Sequence, residues 1–247
     1  SLHESMRYAV LDGGKRIRPL LVFATGYLFD AEKLALARAA AAVEMIHAYS
    51  LVHDDMPCMD NDVLRRGKPT VHVRFGEATA LLAGDALQAQ AFVVLSNQQC
   101  DPVLTVEMMR LLSEAAGAAG MCGGQAIDLA SVGKSLTVNE LENMHRLKTG
   151  ALLTASVFLG AYCSKIPTEQ EKNALNAYAK AIGLAFQVVD DILDVTADSA
   201  DLGKTAGKDS ADNKPTYVSL LGLEESRQLA EKLRNDAYAA RSIFDEK

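Results

Sequence analysis

The chain has 247 residues, with 25 Lys and Arg against 32 Asp and Glu and a net charge of −7. That mild acidity argues against nucleic acid as a partner, and any site for a polyanion has to be local. The length fits one large domain, and no Pro/Gly/Ser-rich linker or break in composition divides it.

The first basic motif is "GGKRIRP", Gly13 to Pro19. Beyond it, "LALARAAAAVEMIHAYSLVH" is rich in Ala, Leu and Met, residues that favour helix. We read a helix over 35–55, which Pro57 then loosens or stops. Asp54 and Asp55 sit at its C-terminal end, with Asp60 and Asp62 just beyond. Carboxylates there oppose the helix dipole, at about 0.3–1 kcal/mol each, so a compensating cation is expected. Arg65, Arg66 and Lys68 follow within a few residues.

Apolar positions recur at three and four along the rest of the chain, and alternating β-branched runs are almost absent. This predicts an all-α protein. Asp85, Gln125 and Asp128 fall in apolar helical contexts, and the last two share a face, which predicts a buried polar network. The four cysteines, Cys58, Cys100, Cys122 and Cys163, are widely spaced with no C-x-x-C pair. They read as buried or free thiols in a reducing compartment. No uninterrupted apolar run reaches the ~20 residues of a bilayer span, and no basic-then-apolar leader opens the chain. The expectation is a soluble, cytoplasmic protein.

A second acidic cluster, "FQVVDDILDV", lies in a helix predicted to start near Thr168. Gln187, Asp190 and Asp194 stand at i, i+3 and i+7, one polar stripe on a helix otherwise carrying Leu184, Phe186, Val188, Val189, Ile192 and Leu193. One Asp-Asp pair is usually a solvated face. Two such clusters, each on an apolar helix where unpaired carboxylates are costly, point instead to a hard cation, and oxygen ligands without His or Cys suit Mg²⁺. Mg²⁺ is commonly held by one or two carboxylates together with phosphate oxygens, so a phosphate ligand is implied. The cations that could cradle it are Lys15, Arg16 and Arg18, then Arg65, Arg66 and Lys68, then Lys148, and finally Lys204, Lys208 and Lys214.

In order along the chain stand "GGKRIRP", "HDDMPCMDNDVLRRGKPTVH", "LLAGDAL", "GMCGGQAIDL", "KTGALL", "GLAFQVVDDILD" and "LGKTAGKD". This series resembles the short-chain trans-prenyltransferases, the farnesyl and geranylgeranyl diphosphate synthases, from about Met6 to Leu221. The resemblance implies a single domain of about ten helices around a central cavity, with the two aspartate helices facing each other at its mouth, and a homodimer. It also implies that Ser1 and Lys247 are not natural ends.

The implied reaction joins an allylic diphosphate to isopentenyl diphosphate by ionisation, attack and proton loss. Three Mg²⁺ ions would stabilise the departing pyrophosphate. By resemblance Asp54 and Asp60 hold two of them with Asp55 in support, Asp190 holds the third, and Asp191 and Asp194 are water-mediated or supporting ligands. Arg65, Lys148, Lys204 and Lys214 bind the allylic diphosphate, while Arg16 and Lys208 are left as surface charges. Lys15, Arg18, His47 and Arg66 bind isopentenyl diphosphate without metal. Thr149, Gln187 and the Lys148 carbonyl stabilise the cation, and pyrophosphate itself is the expected base. His53, His72 and Asp62 read as structural. Tyr49, five positions before the first Asp, combines with the six-residue span from Asp54 to Asp60 in the pattern of bacterial farnesyl synthases. The expected product is therefore C15, with Tyr49 as the stop and Ser50 sharing Asp54's face. A class I terpene cyclase would have no use for a second diphosphate site. A non-catalytic subunit would lack an aspartate motif or carry C-x-x-x-C, and neither departure occurs.

Overall fold

The Ala- and Leu-rich runs fold as helices throughout the computed structural model, which describes residues 1–11, 13–134, 136–196 and 215–244. Among the described residues there are twelve α-helices and one two-stranded hairpin, so the all-α expectation holds. These residues group into two compact units, 1–109 with 159–164, and 110–158 with 165–247. Two of the boundaries fall inside helices, which is why composition shows no linker there.

The first unit contains α1 (Leu2–Leu11), α2 (Ile17–Leu28), α3 (Lys33–Asp54), α4 (Val71–Phe75), α5 (Glu77–Ser96) and the start of α6 (Pro102–Ala116). Helix α3 is its axis. Ala35, Leu36, Ala39, Val43, Ile46 and Val52 are buried against α1, α2 and α5. The aspartate end of α3 is anchored in an apolar cluster of Val52, Met56, Val71 and Ala80. Helices α3 and α5 are each long and apolar enough, by length and composition, to cross a bilayer, although charged residues interrupt both apolar runs. They pack on one another within this unit, the use a core helix makes of such a sequence.

Between α3 and α4 the chain makes a short antiparallel hairpin, β1 (Leu64–Arg65) with β2 (Lys68–Pro69). Its two turn residues, Arg66 and Gly67, have φ of 53° and 75°, the two-residue geometry whose twist matches the strands. Gly67 takes that conformation without strain, and Arg66 is held in it.

The second unit carries α7 (Met121–Ser131), α8 (Val138–His145), a π-helical turn (Arg146–Gly150), most of α9 (Ala151–Tyr162), α10 (Glu169–Thr196), α11 (Tyr217–Leu221) and α12 (Leu223–Ala240). Helix starts are specified locally. Thr137 with Glu140 caps α8, and Thr216 with Ser219 caps α11, each as a reciprocal capping box. Thr168 with Glu171 does the same for α10, at the start the sequence predicts. Leu141, Met144, Val188, Tyr217 and Leu233 form the core that joins α8, α10, α11 and α12.

Candidate active site

In the first unit the site is built at the C-terminal end of α3. Pro57 prevents the helix from continuing, and residues 56–62 fold back onto it. The Asp60 amide donates to the Asp54 carbonyl at 2.8 Å, and the Asp62 amide to the Asp55 carbonyl at 3.1 Å. Two of the orphaned helix carbonyls thereby gain donors, and Asp60 is tethered beside Asp54. Both of these aspartates are half-buried.

The cation expected at this helix end is Arg65. Its Nε and Nη2 fork onto the Asp55 carboxylate at 2.5 to 2.9 Å. Asp55 is only 3% exposed. Burial pushes its carboxyl above the ordinary value, and Arg65 holds part of that rise back. The same pairing keeps the Arg65 guanidinium above its ordinary value in spite of burial. Asp55 was expected to support the metals and Arg65 to bind the allylic diphosphate; here they hold each other, so any contact either makes with a ligand is shared with its partner.

About two turns further back along α3, His47 lies close to several guanidiniums. Burial first, then the charges of Arg18, Arg66, Arg65 and Arg16, hold its imidazole well below the ordinary histidine value. Burial lowers Arg18 to about 10, with Glu44 opposing the shift. The Arg66 guanidinium lies directly against Gly14, where a Cβ would stand 2.7 Å from Nη1. Arg66 is lowered by burial and by the neighbouring charges of Arg65 and Arg16. Arg18, Arg66 and His47 gathered here form a local concentration of donors that suits an anion. Lys15, expected in the same group, is exposed in the loop before α2.

Arg16 corrects the sequence reading. It is not a free surface charge: Nη1 donates to the buried Glu44 carboxylate, and Nη2 donates to the Val10 carbonyl at 2.6 Å. Asp85, expected in a buried network, is instead exposed on α5, 4.0 Å from His53 Nε2. Tyr49 is 5% exposed and meets the His53 ring edge-on at 5.8 Å. The Ser50 hydroxyl donates to the His47 carbonyl at 2.8 Å within α3. A cavity of about 50 Å³ adjoins the cluster, lined in part by Leu51, Asp55, Arg65, Arg66 and Lys68.

The second unit presents the other acidic motif. The sequence pairs Gln187 with Asp190 and Asp194, but the structure pairs it with Asp191, one full turn on. Gln187 Nε2 donates to Asp191 Oδ1 at 3.1 Å, and the Tyr217 amide donates to Asp191 Oδ2 at 2.8 Å. Asp191 and Asp194 are 3% and 4% exposed, while Asp190 is half-buried. That division suits Asp190 to a ligand and the other two to supporting it.

Lys148 and Thr149 project from the π-helical turn. Helix α7 approaches this turn so closely that a Cβ on Gly124 would stand 2.1 Å from the Lys148 amide nitrogen, which accounts for the small residue in "GMCGGQ". The expected network of Gln125 with Asp128 does not form: Lys148 Nζ donates to Asp128 at 2.5 Å, while the buried Gln125 amide has no hydrogen-bond partner among the described residues. Thr149 Oγ1 lies 3.4 Å from Gln187 Oε1. A cavity of about 90 Å³ gathers Asp128, His145, Lys148, Gln187, Asp191 and Thr216. Lys204, Lys208 and Lys214 lie outside the described residues.

Among the described residues no three His, Cys, Asp or Glu side chains form a ready metal cage. The donors of each unit suit Mg²⁺ held in the other way, by one or two carboxylates with phosphate oxygens and water: half-buried Asp54 and Asp60 at the end of α3, and separately half-buried Asp190 on α10. The four cysteines are free thiols. Sequence reasoning missed the π-helical turn, the Arg65–Asp55 fork and the Arg16–Glu44 pair. Of the hairpin it had the Gly67 signal in "RRGK" and did not use it.

The polyprenyl synthetase family model matches residues 1–245. Farnesyl diphosphate synthase of Escherichia coli (strain K12) is 53% identical over 95% of this chain and 79% of its own length. The apo structure of a FPP/GFPP synthase from Zymomonas mobilis superposes with a TM-score of 0.87 at 46% identity, over 98% of this chain and 82% of that one. Geranyltransferase from Helicobacter pylori, solved with magnesium and isoprenyl diphosphate, superposes with a TM-score of 0.88 at 38% identity, over 98% and 81%. With a family model spanning nearly its whole length and both acidic motifs in place, the chain belongs to the polyprenyl synthetase family and is a short-chain trans-prenyltransferase.

Proposed function

We propose that the chain condenses isopentenyl diphosphate head to tail with dimethylallyl and then geranyl diphosphate, releasing pyrophosphate and giving farnesyl diphosphate. The observation that carries this reading is a second cationic cluster, Arg66 packed against Gly14 with Arg18 and His47 close by, made of residues other than those of the two acidic motifs. A substrate held there by Arg18, Arg66, His47 and Lys15 keeps its C–O bond, because nothing in the site favours ionisation.

The allylic partner belongs with the carboxylates. Asp54 and Asp60, with Asp55 behind them, and Asp190, with Asp191 and Asp194 as supporting residues, would hold Mg²⁺, three ions in all; when bound, the metal neutralises the charge that develops on pyrophosphate as the allylic C–O bond breaks. Lys148 and Arg65, each already aligned by an aspartate, bind the same diphosphate, with Lys204 and Lys214. The resulting cation is stabilised by oxygen dipoles that it cannot alkylate readily: the Thr149 hydroxyl, the Gln187 amide oxygen and the Lys148 carbonyl. The double bond of isopentenyl diphosphate attacks the cation, and pyrophosphate accepts the proton lost.

Growth stops at C15 because buried Tyr49 closes the path beneath the aspartates. The two units act as one catalytic domain, and the enzyme is a homodimer; exposed Leu81, Leu82 and Val93 of α5, with Val103 and Val106 of α6, support such an interface. Pyrophosphate release from geranyl diphosphate, measured with and without isopentenyl diphosphate, tests the reaction class. Release should depend on the second substrate and match it mole for mole. Equal release without it would make the chain a cyclase or a diphosphatase.

A further inference from the structure

Asp191 follows the carboxylate assigned to a metal, yet its two oxygens are engaged by protein donors. Oδ2 accepts the amide of Tyr217, the first residue of α11, and Oδ1 accepts from Gln187 Nε2. The side chain is buried, as is the Tyr217 amide contact. A side-chain amide fits its volume equally well in either of two orientations related by a half-turn, so packing alone does not decide which end of Gln187 points where. Chemistry does. A carboxylate accepting on both oxygens has nothing to donate, and the Gln187 atom facing it must be the NH₂ group. The Gln187 oxygen is thereby turned away from Asp191, onto the side where Thr149 Oγ1 lies 3.4 Å from it.

We propose that Asp191 is a positioning residue that sets the polarity of the Gln187 amide, so that oxygen rather than NH₂ is presented beside Thr149 to the cationic centre. This rests on the prenyltransferase reading above. An amide turned the wrong way would direct N–H dipoles at a developing positive charge, so the effect belongs to the chemical step and not to substrate binding. The backbone bond to Tyr217 fixes Asp191 in turn, by tying α10 to the start of α11.

The test is a double-mutant cycle on the full chain with geranyl and isopentenyl diphosphates. Asp191→Asn is nearly isosteric and keeps an acceptor for the Tyr217 amide, but permits Gln187 to turn. It should lower kcat about tenfold, leave both KM values within about twofold, and raise the share of geranyl diphosphate diverted to C10 alcohols by capture with water. In a Gln187→Leu background the same change should alter kcat by less than about twofold, because the residue through which it acts is gone. Fully additive losses would overturn the proposal. So would a rise of about fivefold or more in the Mg²⁺ concentration for half-maximal rate in Asp191→Asn, which would make Asp191 a metal ligand instead. Gln187→Glu sets two acceptors against each other, and adding Asp191→Asn restores a donor. That double variant should exceed Gln187→Glu by about tenfold in kcat, and no rescue would also overturn the proposal. A wild type that makes no C15 product would overturn the prenyltransferase reading and the role of Asp191 with it, whereas additive losses in an enzyme that makes C15 would overturn only the latter.

Discussion

At the scale of single residues, the aspartates and arginines of the first motif divide into pairs with different duties. Arg66 lines the His47 site and Arg65 is forked onto Asp55. Arg66→Ala should therefore raise the KM for isopentenyl diphosphate about tenfold or more, with the allylic KM within about twofold. Steady-state kinetics with each substrate varied in turn decides this, and equal effects on both would remove the assignment. Arg16 gives a test of a different kind. A surface charge could be removed with less than ~0.5 kcal/mol of effect. Arg16→Ala instead strands the buried Glu44 carboxylate, and we expect a loss of about 1–3 kcal/mol of stability in urea unfolding, discounted for the partial exposure of Arg16.

At the scale of elements, the ends of helices do the positioning. Helix α3 delivers Asp54 and Asp55 because Pro57 stops it there, and that much was legible from spacing alone. Residues that make long-range pairs were not. Nothing local in "GGKRIRP" says that Arg16 reaches Glu44 on α3, or that Arg65 rather than Lys68 closes on Asp55, because those choices depend on how elements pack. The α10 stripe shows the same limit: Gln187, Asp190, Asp191 and Asp194 all lie within reach of one face, and only the arrival of the Tyr217 amide selects Asp191 as the partner of Gln187. The π-helical turn was equally hidden, since its extra residue is forced by contacts such as that of Gly124 with Lys148.

His145, at the junction of α8 with that turn, predicts a pH dependence. Burial, opposed by Asp128 and assisted by Lys148, holds it down at about 4, against 6.5 when unfolded. The unfolded chain thus binds a proton that the folded chain refuses between these values, so stability is present above pH 6.5 and falls as pH drops toward 4. The full effect is about 3 kcal/mol. His145→Gln should flatten that part of the profile in urea unfolding at pH 7.5 and pH 5, and an unchanged slope would show that the imidazole takes up its proton alike in the folded and unfolded chain.

At the scale of the whole molecule, the all-α class and the order of motifs were readable because helix propensity and periodicity are local. The division into two units was not, because its boundaries lie within α6 and α9 rather than in a linker. Each unit supplies one aspartate motif. If both serve the same leaving group, Asp54→Ala and Asp190→Ala should each cost roughly 3–5 kcal/mol of transition-state stabilisation, two to four decades in rate. Activity within tenfold of wild type for either would break that link.

The enzyme is a prenyltransferase, and its product length is expected to end at C15 on Tyr49. Chromatography of the products that wild type and Tyr49→Ala make from geranyl and isopentenyl diphosphates tests it most directly. Wild type should end at farnesyl diphosphate, and the variant should extend to C20 or beyond. A wild type that already makes C20, or a variant whose product length does not change, would contradict it.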